Sequence, residues 1–140
     1  MTELELIALA KEAAKNAYVP YSHHTVGAAL LSKSGKVYLG CNIENAAYSP
    51  TNCAERTAFF KAISEGEREF EAIAVVGGYE LDFADYFAPC GVCRQVMAEF
   101  CDMDSFCVIF GKNGEEFKSF ILREILPFGF SPSDLKKPQL

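Results

Sequence analysis

Val26-Gly-Ala-Ala-Leu-Leu31, the turn Lys33-Ser-Gly-Lys36 and Val37-Tyr-Leu-Gly-Cys41 set the frame of the fold. Two apolar runs joined by a Ser-Gly turn predict a β-hairpin whose first strand is buried. Upstream, Leu4, Ile7, Ala8, Ala14 and Ala17 recur at helical spacing on good helix formers, which predicts a helix over 3–17 that Pro20 stops. Downstream, a second helix is expected over about 52–64 and a short strand over Ala72-Ile-Ala-Val-Val76. The stretch Gly77 to Pro89 has no clear period and reads as a loop. A third helix should begin at Cys90 or Gly91 and run to about Phe100, followed by a strand over Phe106-Cys-Val-Ile-Phe110. The turn Lys112-Asn-Gly-Glu115 leads to a short strand over 116–119 and a short helix over 120–126, closed by Pro127. Strands alternating with helices in this order predict an α/β domain around a central mixed sheet. With no repeat, low-complexity segment or linker, residues 1–140 are expected to form one domain.

Composition narrows the function. Half of the 140 residues are hydrophobic and 23% are charged, enough apolar matter for a real core and too much for disorder. No apolar run approaches the roughly 18 residues of a membrane span. The opening Met-Thr-Glu-Leu-Glu places acids where a secretory leader carries bases, so a cytoplasmic chain without a membrane partner is expected. Thirteen basic against nineteen acidic residues give a net charge of −6, and the only adjacent basic pair is Lys136-Lys137. Such a chain repels a phosphate backbone, so polymeric nucleic acid is not expected as a substrate and a small neutral ligand fits better. Glu65, Glu67, Glu69 and Glu71 read as a solvated helix end and loop. Six cysteines, at 41, 53, 90, 93, 101 and 107, point to metal or catalysis rather than to disulfides in a cytosolic chain.

The chemistry concentrates in Thr51-Asn-Cys-Ala-Glu-Arg56 and Pro89-Cys-Gly-Val-Cys-Arg94. Each places cysteine at an expected helix start, where unpaired N–H groups and the helix dipole favour thiolate. Cys90 and Cys93 alone serve structural zinc and thiol redox chemistry equally well. With Cys53 as a third thiolate and no fourth protein ligand in these segments, the set describes a zinc site with one open position. Glu55 stands close enough to work at that position without being a ligand, moving protons between water and a substrate nitrogen. Three thiolates on Zn²⁺ leave a net charge of −1, which weakens the metal as a Lewis acid. Arg56 and Arg94 each follow a key segment, and Arg56 is expected to hydrogen-bond the ligand sulfurs and draw off that charge. Cys-Ala-Glu with Pro-Cys-x-x-Cys is the three-cysteine form of the zinc nucleobase deaminase signature.

Beyond these segments, Tyr18-Val-Pro-Tyr-Ser22 followed by Val26-Gly-Ala-Ala-Leu30, Gly40-Cys-Asn-Ile-Glu-Asn-Ala-Ala-Tyr48, Pro89 to Gln95 and Ile125-Leu-Pro-Phe-Gly-Phe130 occur in order. From about Tyr18 to Phe130 the chain resembles the small homotetrameric cytidine deaminases. The resemblance implies a three-layer α-β-α fold with a central mixed five-stranded sheet. It implies hydrolytic deamination of cytidine and 2′-deoxycytidine to uridine and 2′-deoxyuridine, with one zinc per subunit on Cys53, Cys90 and Cys93 activating water for attack at C4. Glu55 would shuttle the protons. Asn42 and Glu44, alternate residues on one strand, would hold ribose hydroxyls, and the Ala54 N–H would bind the base carbonyl. Ala46 and Tyr48 would reach a neighbouring subunit's ribose, and Phe130 would pack on a neighbour's base. Arg56 and Gln95 would support the zinc ligands from behind. One departure stands out: His24 occupies the position of a family phenylalanine that stacks on the pyrimidine. An imidazole offers less area and titrates near neutrality, so base binding is expected to weaken in acid. His24 as a zinc ligand is disfavoured because three cysteines already fill that site.

Plainer readings stand beside these. Cys41, Cys101 and Cys107 fit small core residues, with Cys41 facing away from Asn42. His23 reads as solvent-facing. Tyr21 and Tyr48 serve equally as ligands or as interface aromatics. Asn42 could merely satisfy a strand end, and Phe128 and Phe130 could both be core, although only Phe130 matches the family position. His24 keeps open another aminopyrimidine substrate, such as a nucleoside antibiotic of the blasticidin type. A catalytically idle zinc-binding protein and a thiol oxidoreductase are the rivals from other classes.

Overall fold

The computed structural model describes residues 1–135. Thr2 opens the first helix, α1 (Glu3–Ala14), as an N-cap: its hydroxyl accepts from the Glu5 N–H, and the Glu5 carboxylate accepts from the Thr2 N–H. Leu6, Ile7, Ala10, Ala13 and Ala14 form its buried face. The helix ends well before Pro20. Lys15, Asn16 and Ala17 turn back on the carbonyls of Glu12, Ala13 and Ala14, and Tyr18 then pairs with Ile43. A tertiary bridge, not the proline, therefore takes the chain off the helix.

The expected hairpin is present as β1 (His24–Ser32) and β2 (Val37–Cys41), antiparallel with Ala29 opposite Leu39. There follow α2 (Ala54–Ser64), β3 (Phe70–Tyr79), α3 (Gly91–Phe100), β4 (Cys107–Gly111), β5 (Phe117–Ile121) and the short α4 (Leu122–Ile125). The five strands form one sheet in the order β2-β1-β3-β4-β5. Only β3 and β4 run parallel, and they are the pair that α3 separates along the chain. The sheet is therefore mixed.

Side chains alternate across it, as the strand period of two requires. Val26, Ala28 and Leu30 of β1, Ile73 and Val75 of β3, and Val108 and Phe110 of β4 join one core with α2 and α3. Ala29, Ala72, Ala74, Val76 and Ile109 join the other with α1. Helices thus cover both faces, giving three layers. Gly27 admits α1 to one face: a Cβ there would fall 1.9 Å from the Ala10 carbonyl oxygen. Gly40 admits α2 to the other, since its Cβ would fall 2.2 Å from the Ala54 carbonyl oxygen. That contact seats the first turn of α2 on β2.

Several strands run beyond their expected bounds, β1 (His24–Ser32) at both ends. Residues Gly77 to Tyr79 continue β3 because β1 pairs along them, His24 with Tyr79 and Val26 with Gly77. Phe120 and Ile121 belong to β5, paired with Val108 and Cys107, and shorten α4 accordingly. In both cases strand pairing overrides local pattern. Cys41, Cys101 and Cys107 are free and partly buried rather than sealed in the core, and burial pushes the Cys101 thiol well above its ordinary value. Among the described residues no helix is long and apolar enough to cross a membrane. Lys136-Lys137 lies outside the described residues.

Candidate active site

Two helix N-termini meet at the sulfur cluster. Cys53 is the N-cap residue of α2 and Cys90 that of α3, and neither side chain makes a capping hydrogen bond to its helix. Cys93 lies in the first turn of α3, buried. All three sulfurs fall within 4.8 Å of one another, with Cys53 and Cys90 3.8 Å apart. Tetrahedral zinc with Zn–S bonds of about 2.3 Å sets its sulfurs about 3.8 Å apart, so this donor set fits the ion in both chemistry and spacing. The Arg56 Nη2 donates to the Cys53 sulfur at 3.1 Å. A hydrogen bond from the Cys93 thiol, reinforced by Arg56, holds Cys53 well below the usual thiol range. The same proton, with burial, pushes Cys93 far up. A bound metal would take the place of that shared proton.

Glu55 follows in the first turn of α2 and is only 1% exposed. Burial pushes its carboxyl up to about 7, and the Cys53 charge adds to the rise. Its Oε1 is buried and has no hydrogen-bond partner. An unpaired buried carboxylate oxygen is costly and marks a place where a bound group completes the site.

Glu55 opens into a cavity of about 220 Å³ that it shares with Cys53, Ala54, Cys90, Asn42, His24 and Phe87. The His24 ring is half-buried and lies 5.7 Å from that of Phe87. His23 is exposed. Asn42 and Glu44 do not sit on a strand, because β2 ends at Cys41. They flank Ile43, which bridges both Tyr18 and Asn52, and this bridge imposes the alternation that a strand was expected to supply. Asn42 accepts from the Val26 N–H at 3.0 Å and donates to the His24 carbonyl at 2.8 Å. One N–H and one lone pair of its amide remain for a ligand. Glu44 accepts from the Ser22 hydroxyl and from the N–H groups of Ser22 and Tyr21. The Ser22 hydroxyl holds that carboxyl below its ordinary value. Glu44 lines an adjoining open recess with Tyr21, Tyr48, Ser22 and Thr51, and the last two border both spaces.

Other expected residues lie elsewhere. Ala46 and Tyr48 are exposed, Tyr48 at 73% and with a φ of 62°. Phe128 and Phe130 are exposed too, so neither belongs to the core of its own chain. Gln95 donates to the Phe130 carbonyl at 2.8 Å, which places its amide on the C-terminal segment rather than behind the sulfurs. Arg94 likewise donates to the carbonyls of Pro89 and Ile125, at 2.8 and 2.6 Å, and holds α3 to the C-terminal end of α4. Of Arg56, Arg94 and Gln95, Arg56 alone reaches one of the three sulfurs. Phe87, in the aperiodic 80–89 loop, carries no sequence signal. Ser22, within Tyr18-Val-Pro-Tyr-Ser22, gives no sign in the sequence of its bond to Glu44.

The site belongs to the class of zinc-dependent deaminases. Residues 1–109 match the family described as the cytidine and deoxycytidylate deaminase zinc-binding region, and the chain belongs to that family. It is 51% identical over 131 residues to a cytidine deaminase of Sporosarcina psychrophila, covering 94% of this chain and 93% of that one. The crystal structure of cytidine deaminase from Burkholderia pseudomallei superposes with a TM-score of 0.85 at 45% identity, over 93% of this chain and all of that one. A more distant match, 32% identical over 133 residues and 92% of each chain, is a blasticidin-S deaminase of Bacillus cereus.

Proposed function

We propose that the chain catalyses hydrolytic deamination of cytidine and 2′-deoxycytidine to uridine and 2′-deoxyuridine, releasing ammonia, and serves pyrimidine salvage. The observation that carries this reading is Glu55: a sealed carboxyl, poised near neutrality, with one unpartnered oxygen beside three converging sulfurs. Cys53, Cys90 and Cys93 would hold one zinc per chain, which supplies water of lowered pKa at neutral pH. The rest falls to the protein. Glu55 in its acid form gives a proton to the ring nitrogen, which makes C4 electrophilic. Its carboxylate then takes one proton from the adding water and passes it to the amine; as ammonia leaves and the C4 carbonyl forms, it takes the remaining hydroxyl proton and returns to its acid form. The Ala54 N–H, at the open start of α2, faces the base carbonyl. Asn42 and Glu44 take the ribose hydroxyls, Glu44 already oriented by three donors from Tyr21 and Ser22.

Residues 1–140 act as one deaminase domain in the cytoplasm. The exposed Tyr48, Phe128 and Phe130 support a homotetramer in which Ala46, Tyr48 and Phe130 of one subunit complete a neighbour's site. A net charge of −6 supports a nucleoside over polymeric nucleic acid. His24 and the match to a blasticidin-S deaminase favour a second reading, deamination of another aminopyrimidine nucleoside. Zinc-loaded protein mixed in turn with cytidine, 2′-deoxycytidine, cytosine and blasticidin S, followed by ultraviolet absorbance and ammonia release, separates the two. Turnover of both cytidines, with cytosine poor for want of a ribose, supports the first reading. Turnover confined to blasticidin S replaces it with the second.

A further inference from the structure

We propose that Phe87 is a base-binding and specificity-determining residue: its ring, paired with the His24 imidazole, forms the apolar wall on which the pyrimidine packs. The inference rests on the reading of the chain as a pyrimidine nucleoside deaminase.

The loop that carries Phe87 is pinned along its length. It leaves β3 through Glu80 and Leu81, both left-handed with φ of 46° and 67°. Non-glycine residues hold such angles only where neighbours over-determine them. Here the Glu80 N–H donates to the His23 carbonyl at 2.8 Å, and the Leu81 N–H donates to the Thr25 hydroxyl at 2.9 Å. Further on, the Asn113 N–H donates to the carbonyl of the buried Phe83 at 2.8 Å. The Lys112 and Lys118 ammonium groups lie 4.9 and 4.8 Å from the centre of the Tyr86 ring, a cation–π arrangement with two cations on one ring.

Phe87, next in line, is thereby placed. Its ring occupies the space over Gly77, where any Cβ would fall 2.6 Å from its Cδ2. Its other neighbour is His24, ring to ring at 5.7 Å and 38°. Both rings line the cavity that holds Glu55 and Cys90, and Phe87 is only half-buried, so area remains for a ligand. A flat, weakly polar base with a π face suits such a wall. An imidazole alone offers too little area there, and Phe87 supplies the balance.

The test is steady-state kinetics with cytidine on the zinc-loaded wild type, Phe87→Ala, Phe87→Leu and the double variant Phe87→Ala with His24→Phe, with zinc content measured on each. Base–aromatic stacking of about 1–3 kcal/mol corresponds to a KM rise of about 5- to 150-fold in Phe87→Ala. Phe87→Leu, which keeps apolar bulk, falls between, and carries the test if the alanine variant does not fold. Zinc stays at one per chain, kcat changes less than KM, and His24→Phe returns part of the lost affinity by restoring area to the same wall. A KM unchanged in a zinc-bound variant overturns the proposal. So does a loss of zinc and kcat in proportion to KM, which marks a structural ring. A wild type that turns over cytidine while the variants show no KM effect leaves the function standing and sinks only this inference. A wild type that leaves cytidine untouched overturns both.

Discussion

Arg56 and Glu55 are neighbours in sequence with opposite charges, the guanidinium donating to the Cys53 sulfur and the carboxyl buried with one unpartnered oxygen; the proposed function has the first spread thiolate charge and the second carry protons. Arg56→Ala removes the donor at 3.1 Å from the Cys53 sulfur. Zinc affinity in competition with a chelator should fall about tenfold or more, the usual effect of losing a group that bonds a ligand; unchanged affinity would show that the helix termini suffice. Glu55 makes a second prediction, for the metal-free protein. The fold raises its carboxyl to about 7, so the native state holds this proton more tightly than the unfolded chain. The stabilisation is fully present below the ordinary carboxylate range and is lost as pH rises through about 7. Urea unfolding of chelated protein at pH 5 and pH 8 should therefore show a loss of stability that Glu55→Gln does not share. Equal slopes would mean that the carboxyl ionises freely. The three cysteines, Glu55 and Arg56 were legible in the sequence because each lies within a helical turn of one of two helix starts, although the packing that brings those starts together is not in the spacing. Phe87 and Thr51 were not, because strand pairing and loop pinning by distant residues bring them to the cavity. The same limit applies to Gln95, whose partner is a carbonyl far along the chain.

The helix starts reach one point because α2 sits tightly on β2 at Gly40. Gly40→Ala would drive its Cβ to 2.2 Å from the Ala54 carbonyl oxygen. Overpacking of this kind costs about 1–3 kcal/mol, and here it displaces the turn that carries Cys53 and Glu55. Thermal unfolding should register the loss and zinc affinity should fall with it, whereas a variant with wild-type stability would show that α2 can shift without harm. Thr57 reinforces the seat by donating to the Cys41 carbonyl at 3.0 Å. At this scale the hairpin and the order of the elements could be read from period and turn chemistry. The ends of α1, β3 and β5 could not, since each is set by a partner strand or bridge that local pattern does not contain.

For the whole molecule, Tyr48, Phe128 and Phe130 are exposed, and the proposed homotetramer has Tyr48 and Phe130 complete a neighbour's site. Sedimentation should find four copies together, and Phe130→Ala should raise KM for cytidine although Phe130 does not line the cavity of its own chain. A fully active monomer would remove the shared site. The central proposal is that a buried carboxyl beside three sulfurs moves the protons of deamination. The direct test is turnover of cytidine by zinc-loaded wild type and Glu55→Gln, with uridine followed by absorbance and zinc counted in both. Wild-type conversion to uridine and ammonia, with kcat in the variant lower by about a hundredfold or more at unchanged zinc, is the expected result. A zinc-bound Glu55→Gln with near-normal kcat would contradict it.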